Sequence, residues 1–178
     1  MRARRSQAVS ASTSSVAPGE IRAVAIGKNG KGAVASREFG LPKKDWTILE
    51  TSSETEGHAA QMAIDANDQT YWQSNNDPAP DYVVIDLGKE YSLKGFAYTP
   101  QKQQADGMIA KGSIKVSSDG SSWRDAGDFE FGNLVNDPST RTHYFNDSVD
   151  ARFVRIESTE IAAPGNSAAI AEFDLFIE

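Results

Sequence analysis

A short polar segment in the middle of the chain has residue types that could hold a metal ion. Within residues 65–70, Asp65 and Asp68 supply carboxylates, Thr70 supplies a hydroxyl, and the backbone carbonyls supply further oxygens. A segment this short can curl around one hard cation, and calcium suits a set of oxygen ligands. An Asx-type turn after a helix would use the same residue types without a metal. The residues alone leave both interpretations open.

Transition-metal and catalytic chemistry are not indicated. The chain has no Cys, and neither His58 nor His143 has a partner at ligand spacing. It also lacks a G-x-S-x-G nucleophile motif, an H-E-x-x-H zinc motif and a Gly-rich phosphate loop before a helix. A carboxylate pair such as Glu157 and Glu160 is more typical of a solvated face than of a glycosidase centre. We therefore expect a protein that is not an enzyme.

The composition of the chain narrows the classes of partner. With 178 residues, of which 39% are hydrophobic and 24% charged, it resembles one globular domain, or one domain and a remnant of another. Its formal net charge of -7 repels polyanions, so nucleic acid and anionic membranes are poor candidate partners, whereas neutral sugars and cations remain open. No apolar segment of signal-peptide or membrane-span type is present. If the protein is exported, we expect its signal to lie upstream in a longer parent.

The elements that must position the polar segment are predominantly β-strands. Short β-rich runs recur between turn clusters, at residues 46–50, 82–87, 93–99, 113–118, 142–146, 152–157 and 170–177. This regular spacing predicts an all-β sandwich or barrel. One helix of about two turns is predicted over residues 58–64, where Ala and Met favour a helix, and it ends at the polar segment.

The first part of the chain has a different character. Residues 1–19 are rich in Ser, Ala and Arg and end in a Pro-Gly breaker, which predicts a disordered tail. Residues 20–44 predict a β-hairpin around the Asn-Gly pair at Asn29, followed by a connector in which Lys43 and its neighbour favour exposure. Because a lone hairpin is marginal by itself, we interpret it as the remnant of a preceding module. The main domain is predicted to cover residues 45–178.

Five segments, in order along the main domain, resemble the signature motifs of one domain family. They are AIDANDQTYW at 63–72, YVVIDLG at 82–88, IKVSSDGSSW at 114–123, ARFVRI at 151–156 and AEF at 171–173. Each segment is weakly specific alone, but the ordered set resembles the discoidin-like (coagulation factor 5/8 type C) family. The resemblance implies a jelly-roll β-sandwich of the galactose-binding-domain-like kind, preceded in this chain by the hairpin remnant.

The resemblance also implies one structural calcium ion. Its ligands would be the side chains of Asp65, Thr70 and Glu172 together with the backbone carbonyls of Met62, Asn67, Thr70 and Ala171. Such an ion would tie the loop after the helix to the last strand and close the sandwich. The family often has Gly where this chain has Ala66, so a positive φ at that position would strain the backbone.

The resemblance extends to family 32 carbohydrate-binding modules, which bind galactose-type and amino sugars on loops beside the calcium. The matching sugar-binding positions are Asp68, Gln73, Asn75, Asn76, Gln101, Lys102 and Asn166. Sugar-binding relatives often carry His just after the motif Trp, where this chain has Gln73. We expect Trp72 and Trp123 in the core, Tyr71 as the exposed aromatic neighbour, and Arg152 and Arg155 in structural ion pairs.

These expectations describe a non-catalytic carbohydrate-binding accessory module that targets a secreted glycoside hydrolase to glycans. The hairpin resembles the end of the small β-sandwich that precedes such modules in bacterial chitobiase-like and fucosidase-like enzymes. We expect a monomer whose partners are glycans and the catalytic domain of its parent, in the periplasm, on the cell surface or outside the cell. The alternative is a structural spacer or a protein–protein adhesion module that binds no sugar.

Overall fold

The N-terminal hairpin is present. In the computed structural model, residues 19–27, 30–77, 80–103 and 106–177 are described, and for residues 19–39 the backbone alone. Strand β1 (Gly19–Gly27) pairs antiparallel with β2 (Gly30–Phe39), which confirms the predicted hairpin. The predicted tail up to Gly19, and Asn29 of the predicted turn, lie outside the described residues.

The described residues after the hairpin form eight further strands. They are β3 (Thr47–Thr51), β4 (Trp72–Gln73), β5 (Asp81–Thr99), β6 (Ile109–Ser117), β7 (Arg124–Glu130), β8 (Arg141–Ile161), β9 (Ala169–Ile170) and β10 (Glu172–Phe176). The helical elements of the described residues are 3₁₀ turns at Lys43–Asp45 and Ala60–Ala63. The all-β prediction is confirmed. Within the described ranges, no helix is long and apolar enough to cross a membrane.

The prediction of a helix over residues 58–64 is wrong, because only a single 3₁₀ turn forms there. Ala59 is extended, with φ -64° and ψ 149°, and Ile64 leaves helical geometry at φ -137°. Glu54 accepts a hydrogen bond from the Ala60 N–H at 2.7 Å, which fixes where the turn begins. The extended residues at the two ends of this Ala-rich segment prevent a longer helix, despite the high helix propensity of Ala.

One large sheet surrounds the core. Its strand order is β10-β5-β8-β6-β7, with β3 paired to β5, while β4 and β9 form a separate short ladder. The antiparallel β5–β8 ladder shifts register between Asp86 and Tyr91 and again between Leu93 and Gly95. Bulges of this kind bend a sheet, and β5 and β8 each run unbroken through these two irregularities. The sequence had predicted two separate strands for each.

The core is apolar and aromatic. Phe96 lies at its centre, 5.2 Å from the Phe129 ring and 5.3 Å from the Phe173 ring. Trp72 is 1% exposed, which confirms its predicted place in the core. Trp123 is only half-buried, because it precedes β7 at the edge of the sheet, so its predicted core position is wrong.

The connector before the sandwich is attached to the last strand. The Leu41 N–H donates to the Leu175 carbonyl of β10 at 3.2 Å, and the Leu41 side chain joins the core. Lys43 is buried and its Nζ contacts the carboxylates of Glu172 and Asp174. The predicted exposure of Lys43 is therefore wrong, because two buried carboxylates of β10 draw its ammonium inward.

Candidate functional site

The polar segment at residues 65–70 forms a tight loop closed by its own side chains. Asp65 Oδ1 accepts a hydrogen bond from the Asn67 N–H at 2.9 Å, so the Asx turn that the sequence left open is present. Thr70 Oγ1 lies 2.8 Å from Asp65 Oδ2 and 2.8 Å from the Asn67 carbonyl oxygen. Ala66 has φ 62°, a left-handed conformation that costs free energy for Ala but not for Gly. The strain expected for a positive φ at this position is therefore present.

Glu172, the ligand predicted from the last strand, lies near this loop. It begins β10, which contacts the 3₁₀ turn at Ala60–Ala63 that leads into the loop. Burial raises the pKa of Glu172 to about 6, and the negative charge of Asp65 acts in the same direction. Its Oε1 accepts a hydrogen bond from Lys43, whereas its Oε2 is buried with no hydrogen-bond partner among the described residues. Asp65 is thus close enough to act electrostatically on Glu172, and whether the two carboxylates share one ion stays a prediction.

The donor atoms at this place fit a hard cation. The unpartnered oxygen of Glu172, the carboxylate of Asp65 and the hydroxyl of Thr70 are all oxygen ligands, as calcium prefers. No group of three or more His, Asp or Glu side chains that could hold a metal occurs in the described part of the chain. The predicted ligand set includes only two carboxylates, and its other members are a hydroxyl and backbone carbonyls.

Two of the backbone carbonyls that the resemblance implies as ligands, those of Met62 and Ala171, lie in hydrogen-bonded segments. Met62 belongs to the 3₁₀ turn, where its N–H donates to the Ala59 carbonyl at 2.9 Å. Ala171 connects β9 to β10, and its N–H donates to the Thr99 carbonyl at 3.0 Å. Their carbonyl positions are therefore set by the neighbouring elements.

An open cavity of about 490 Å³ lies among the loops predicted to bind sugar. It is lined by Thr55, Glu56, His58, Gln73, Ser74, Asn76, Asp106, Gly165 and Ser167. This volume falls within the range of ~300–1,000 Å³ that is usual for small-molecule sites. Gln73 and Asn76 were predicted from the sequence, and Asn166 lies between two residues of the lining.

His58 gives this cavity an aromatic surface. Its ring stacks on the ring of Tyr71 with centroids 4.1 Å apart. His58 Nδ1 lies 3.2 Å from the Tyr71 carbonyl oxygen, and because a carbonyl only accepts, Nδ1 carries the proton. A neutral His58 then offers Nε2 as a hydrogen-bond acceptor. Tyr71 is 4% exposed, so the predicted exposure of Tyr71 is wrong, and the accessible aromatic ring is His58 instead.

Hydrogen bonds between loops hold the walls of the cavity. Gln73 Nε2 donates to Ser167 Oγ at 3.1 Å, and the Ala168 N–H donates to Ser74 Oγ at 2.8 Å. Asn76 Oδ1 accepts from the Asn166 N–H at 3.0 Å. Two separate loops therefore form one continuous polar wall.

The other predicted sugar-binding residues lie on a neighbouring rim. Lys102 Nζ pairs with Asp68 Oδ2 at 3.0 Å, and hydrogen bonds from Gln69 and Lys102 hold the pKa of Asp68 below its usual value. Gln101 is 1% exposed and its Nε2 donates to the Asp106 carbonyl at 2.8 Å, so it shapes its loop. Asn75 is exposed, and its N–H donates to Ser53 Oγ at 2.9 Å. Direct contact of these four predicted residues with a sugar stays a prediction.

Sequence reasoning missed part of the lining. Ser74, Asp106, Gly165 and Ser167 lie within loops that match the family's ligand loops, but they were not selected. The loop that carries Thr55, Glu56 and His58 was not considered, because it was interpreted as the approach to a helix. A polar run followed by a lone His was the available signal.

Arg152 and Arg155 form the structural pairs that were expected. Arg152 binds Asp86 through two hydrogen bonds of 2.9 and 2.8 Å, which lower the pKa of Asp86. Arg155 lies 2.5 Å from a carboxylate oxygen of Glu157 and stacks over the Tyr82 ring. Neither Arg lines the cavity.

Comparisons with known proteins agree with this architecture. Residues 48–173 match the F5/8 type C domain family. Module CBM32-5 of a Clostridium perfringens family 89 glycoside hydrolase, solved in complex with GalNAc-beta-1,3-galactose, is 26% identical, with a TM-score of 0.70 over 77% of this chain and 99% of that one. The C-terminal domain of a chitobiase from Bacteroides fragilis is 25% identical, with a TM-score of 0.67 over 78% and 99% of the two chains.

A longer relative places such a domain within a larger protein. Galactose oxidase of Gibberella zeae is 26% identical over 142 residues, which is 76% of this chain and 20% of that protein. The chain spans about a fifth of the length of the first curated relatives that it matches. The similar solved structures are accessory modules rather than catalytic domains, and the chain is a non-enzymatic module of the same kind. It belongs to the F5/8 type C (discoidin-like) domain family, as residues 48–173 show.

Proposed function

We propose that the protein is a carbohydrate-binding accessory module that binds glycans in the cavity at the loop rim. The observation that carries this proposal is the polar cavity of about 490 Å³ with the His58 ring in its wall. Sugar sites pair hydrogen-bonding side chains with an aromatic or apolar surface for the C–H face. Gln73, Asn76 and Asn166 supply the polar groups, and His58 supplies the ring.

The similar module from C. perfringens supports this proposal, since it was solved with GalNAc-beta-1,3-galactose bound. We therefore propose galactose-type or N-acetylated amino sugars as the first ligands to test. The exposed rim residue Asn75 and the Asp68–Lys102 pair would contact the remainder of a longer glycan, while the buried Gln101 would hold its loop in place. A surface with many hydroxyl-binding groups and few exposed apolar side chains suits a sugar better than a membrane.

We further propose that calcium occupies the place between the 65–70 loop and Glu172. Asp65, Thr70 and Glu172 would hold it through their side chains, with the carbonyls of Asn67 and Ala171 as further ligands. The ion would supply a fixed positive charge that joins the loop to β10. Its role would be structural, because the loop lies on its own elements rather than in the lining of the cavity.

We propose that the whole protein is an exported glycoside hydrolase and that this module targets it to glycans. The support is that the similar modules of known structure belong to glycoside hydrolases. This would place the module in the periplasm, on the cell surface or outside the cell. A spacer or adhesion role without sugar binding is the alternative.

Titration with galactose, N-acetylgalactosamine, N-acetylglucosamine and fucose, followed residue by residue in NMR spectra, tests the proposal. We expect weak binding that shifts the resonances of His58, Gln73 and Asn76. Asn76→Ala and His58→Ala should each weaken binding about three- to ten-fold, as for a lost hydrogen bond or contact. Asn146→Ala, at an exposed site on β8, is the matched control and should bind normally. Unchanged spectra with every sugar and a glycan array without signal would favour the spacer role.

A further inference from the structure

The charged groups in the wall of the cavity are all acidic. Among the described residues, Glu56 and Asp106 are the carboxylates of the lining, and no Lys or Arg contributes to it. Glu56 is exposed, whereas Asp106 is half-buried and its Oδ1 is buried with no hydrogen-bond partner in the described ranges. A ligand that enters the cavity therefore meets uncompensated negative charge.

A buried carboxylate behind the wall adds to this charge. Asp81 is 3% exposed and lies beside Ser74 of the lining. Its Oδ1 accepts from Ser52 Oγ at 3.3 Å, and its Oδ2 is buried without a partner among the described residues. Asp77 is close enough to act on Asp81 electrostatically. Burial raises the pKa of Asp81 and hydrogen bonds from Ser74 and Ser52 oppose that rise, so Asp81 adds negative charge behind the wall when it is ionised.

Lys102, a cation of the rim, is already paired. Lys102 Nζ is 3.0 Å from Asp68 Oδ2 on the rim, so its charge is balanced locally. The cavity thus differs from a simple hydroxyl-binding site, because its fixed charges have one sign. Sites lined by one sign of charge raise the local concentration of ligands of the opposite sign.

We propose that the cavity prefers sugars with a free ammonium group, that is, hexosamines without an N-acetyl group, and rejects acidic sugars. This inference rests on the proposed sugar-binding function and specifies the ligand class of the same cavity. An ammonium has three donors and a positive charge, and the lining residues Glu56 and Asp106 carry the carboxylates that would attract it. Acetylation of the amine removes its positive charge and therefore this attraction. The carboxylate of a uronic acid would be repelled by the carboxylates of the wall.

The expected preference for galactosamine is small, because the carboxylates of the cavity wall are partly exposed to solvent. Glu56 is exposed, so its pairing with an ammonium is screened and modest, while the half-buried Asp106 adds to it. We expect galactosamine to bind about three- to ten-fold more tightly than N-acetylgalactosamine at low salt. The ratio should fall towards one as the salt concentration rises.

The test compares galactosamine, N-acetylgalactosamine, galactose and galacturonic acid, which share one ring, by NMR titration at neutral pH and two salt concentrations. Glu56→Gln and Asp106→Asn should each lower the ratio of the galactosamine affinity to the galactose affinity, because each removes one negative charge from the wall. Glu90→Gln removes the same charge at an exposed site on β5 and is the matched control.

The outcomes separate the two proposals. Tighter binding of galactosamine that is lost in Glu56→Gln supports the inference. If galactose and N-acetylgalactosamine bind but galactosamine binds no more tightly, the ammonium preference is overturned while the sugar-binding function stands. If none of the four sugars binds, both proposals fall.

Discussion

Ala66 shows how one side chain affects a loop whose shape other residues determine. Asp65 and Thr70 close the loop on each other, and the backbone at Ala66 must turn through φ 62° to allow this. A Cβ in this conformation costs about 1–2 kcal/mol. The loop accepts this strain because its ends are fixed by the 3₁₀ turn and by β4.

Replacing Ala66 with Gly should therefore stabilise the protein. Gly relieves the strain but makes the unfolded chain more flexible, so we expect a net gain of about 0.5–1 kcal/mol in the free energy of unfolding. Denaturant unfolding measures it. Ala59→Gly is the control: Ala59 has φ -64°, so Gly relieves nothing there and should destabilise. A loss of stability in Ala66→Gly would contradict the strain.

Single residues were the hardest to predict from the sequence. The motifs selected Asp65, Thr70 and Glu172 as calcium ligands, and that role stays a prediction. The burial of Lys43 could not be inferred, because it depends on Asp174, which lies opposite only after β10 has docked. The exposure of Tyr71 and Trp123 was misjudged, because burial of an aromatic residue depends on which strand covers it.

At the scale of elements, the attachment of the connector to β10 is the feature with the largest energetic consequence. Lys43 Nζ lies 2.8 Å from Asp174 Oδ1 and also contacts Glu172, with both carboxylates buried. Burial raises the pKa of Asp174, and the ammonium of Lys43 opposes that rise. The Lys43 side chain therefore makes it possible for β10 to carry two carboxylates inside the sandwich.

Removing this ammonium should destabilise the fold. Lys43→Met leaves two buried carboxylates facing each other, and breaking a buried ion pair costs about 3–5 kcal/mol. We expect a loss of about 3 kcal/mol at neutral pH in urea unfolding with a chelator present. Lys44→Met is the matched control, because the Lys44 side chain is 79% exposed, and it should change stability very little. Equal effects of the two substitutions would rule out the buried pairing.

The positions of most strands could be predicted from the sequence. That two predicted strands join into one long strand could not. Alternation of apolar residues located every segment of β5 and β8, but it could not show that two runs belong to one bent strand. The register shifts that join them depend on partner strands far away in the sequence. Strand β7 was missed because its residues at 124–130 include mostly polar side chains at the sheet edge.

For the whole molecule, the proposed calcium ion connects stability to pH. In its absence, burial raises the pKa of Glu172 to about 6 from 4.5. Because the folded state then binds the proton more tightly than the unfolded state, this contribution to stability is full below about pH 4.5 and is lost as the pH rises through about 6. Calcium requires the ionised carboxylate, so it should act most strongly above that pH.

Thermal unfolding with calcium or with a chelator tests whether calcium stabilises the folded protein in this pH-dependent way. We expect calcium to raise the melting temperature at neutral pH, with a smaller gain near pH 5. Asp65→Ala and Glu172→Ala should abolish the gain, whereas Asp68→Asn in the same loop should keep it, since Asp68 is paired with Lys102. A melting curve that chelator leaves unmoved would show that calcium is not bound.

The hydrogen bond from Leu41 to Leu175 also determines how the module would sit in a longer polypeptide. The chain enters and leaves the sandwich at adjacent points, because the entering connector runs alongside the departing strand. Domains joined to the two ends would therefore lie next to each other. The module would project to one side of the line that connects them. Tension along such a polypeptide would act first on this entry–exit contact.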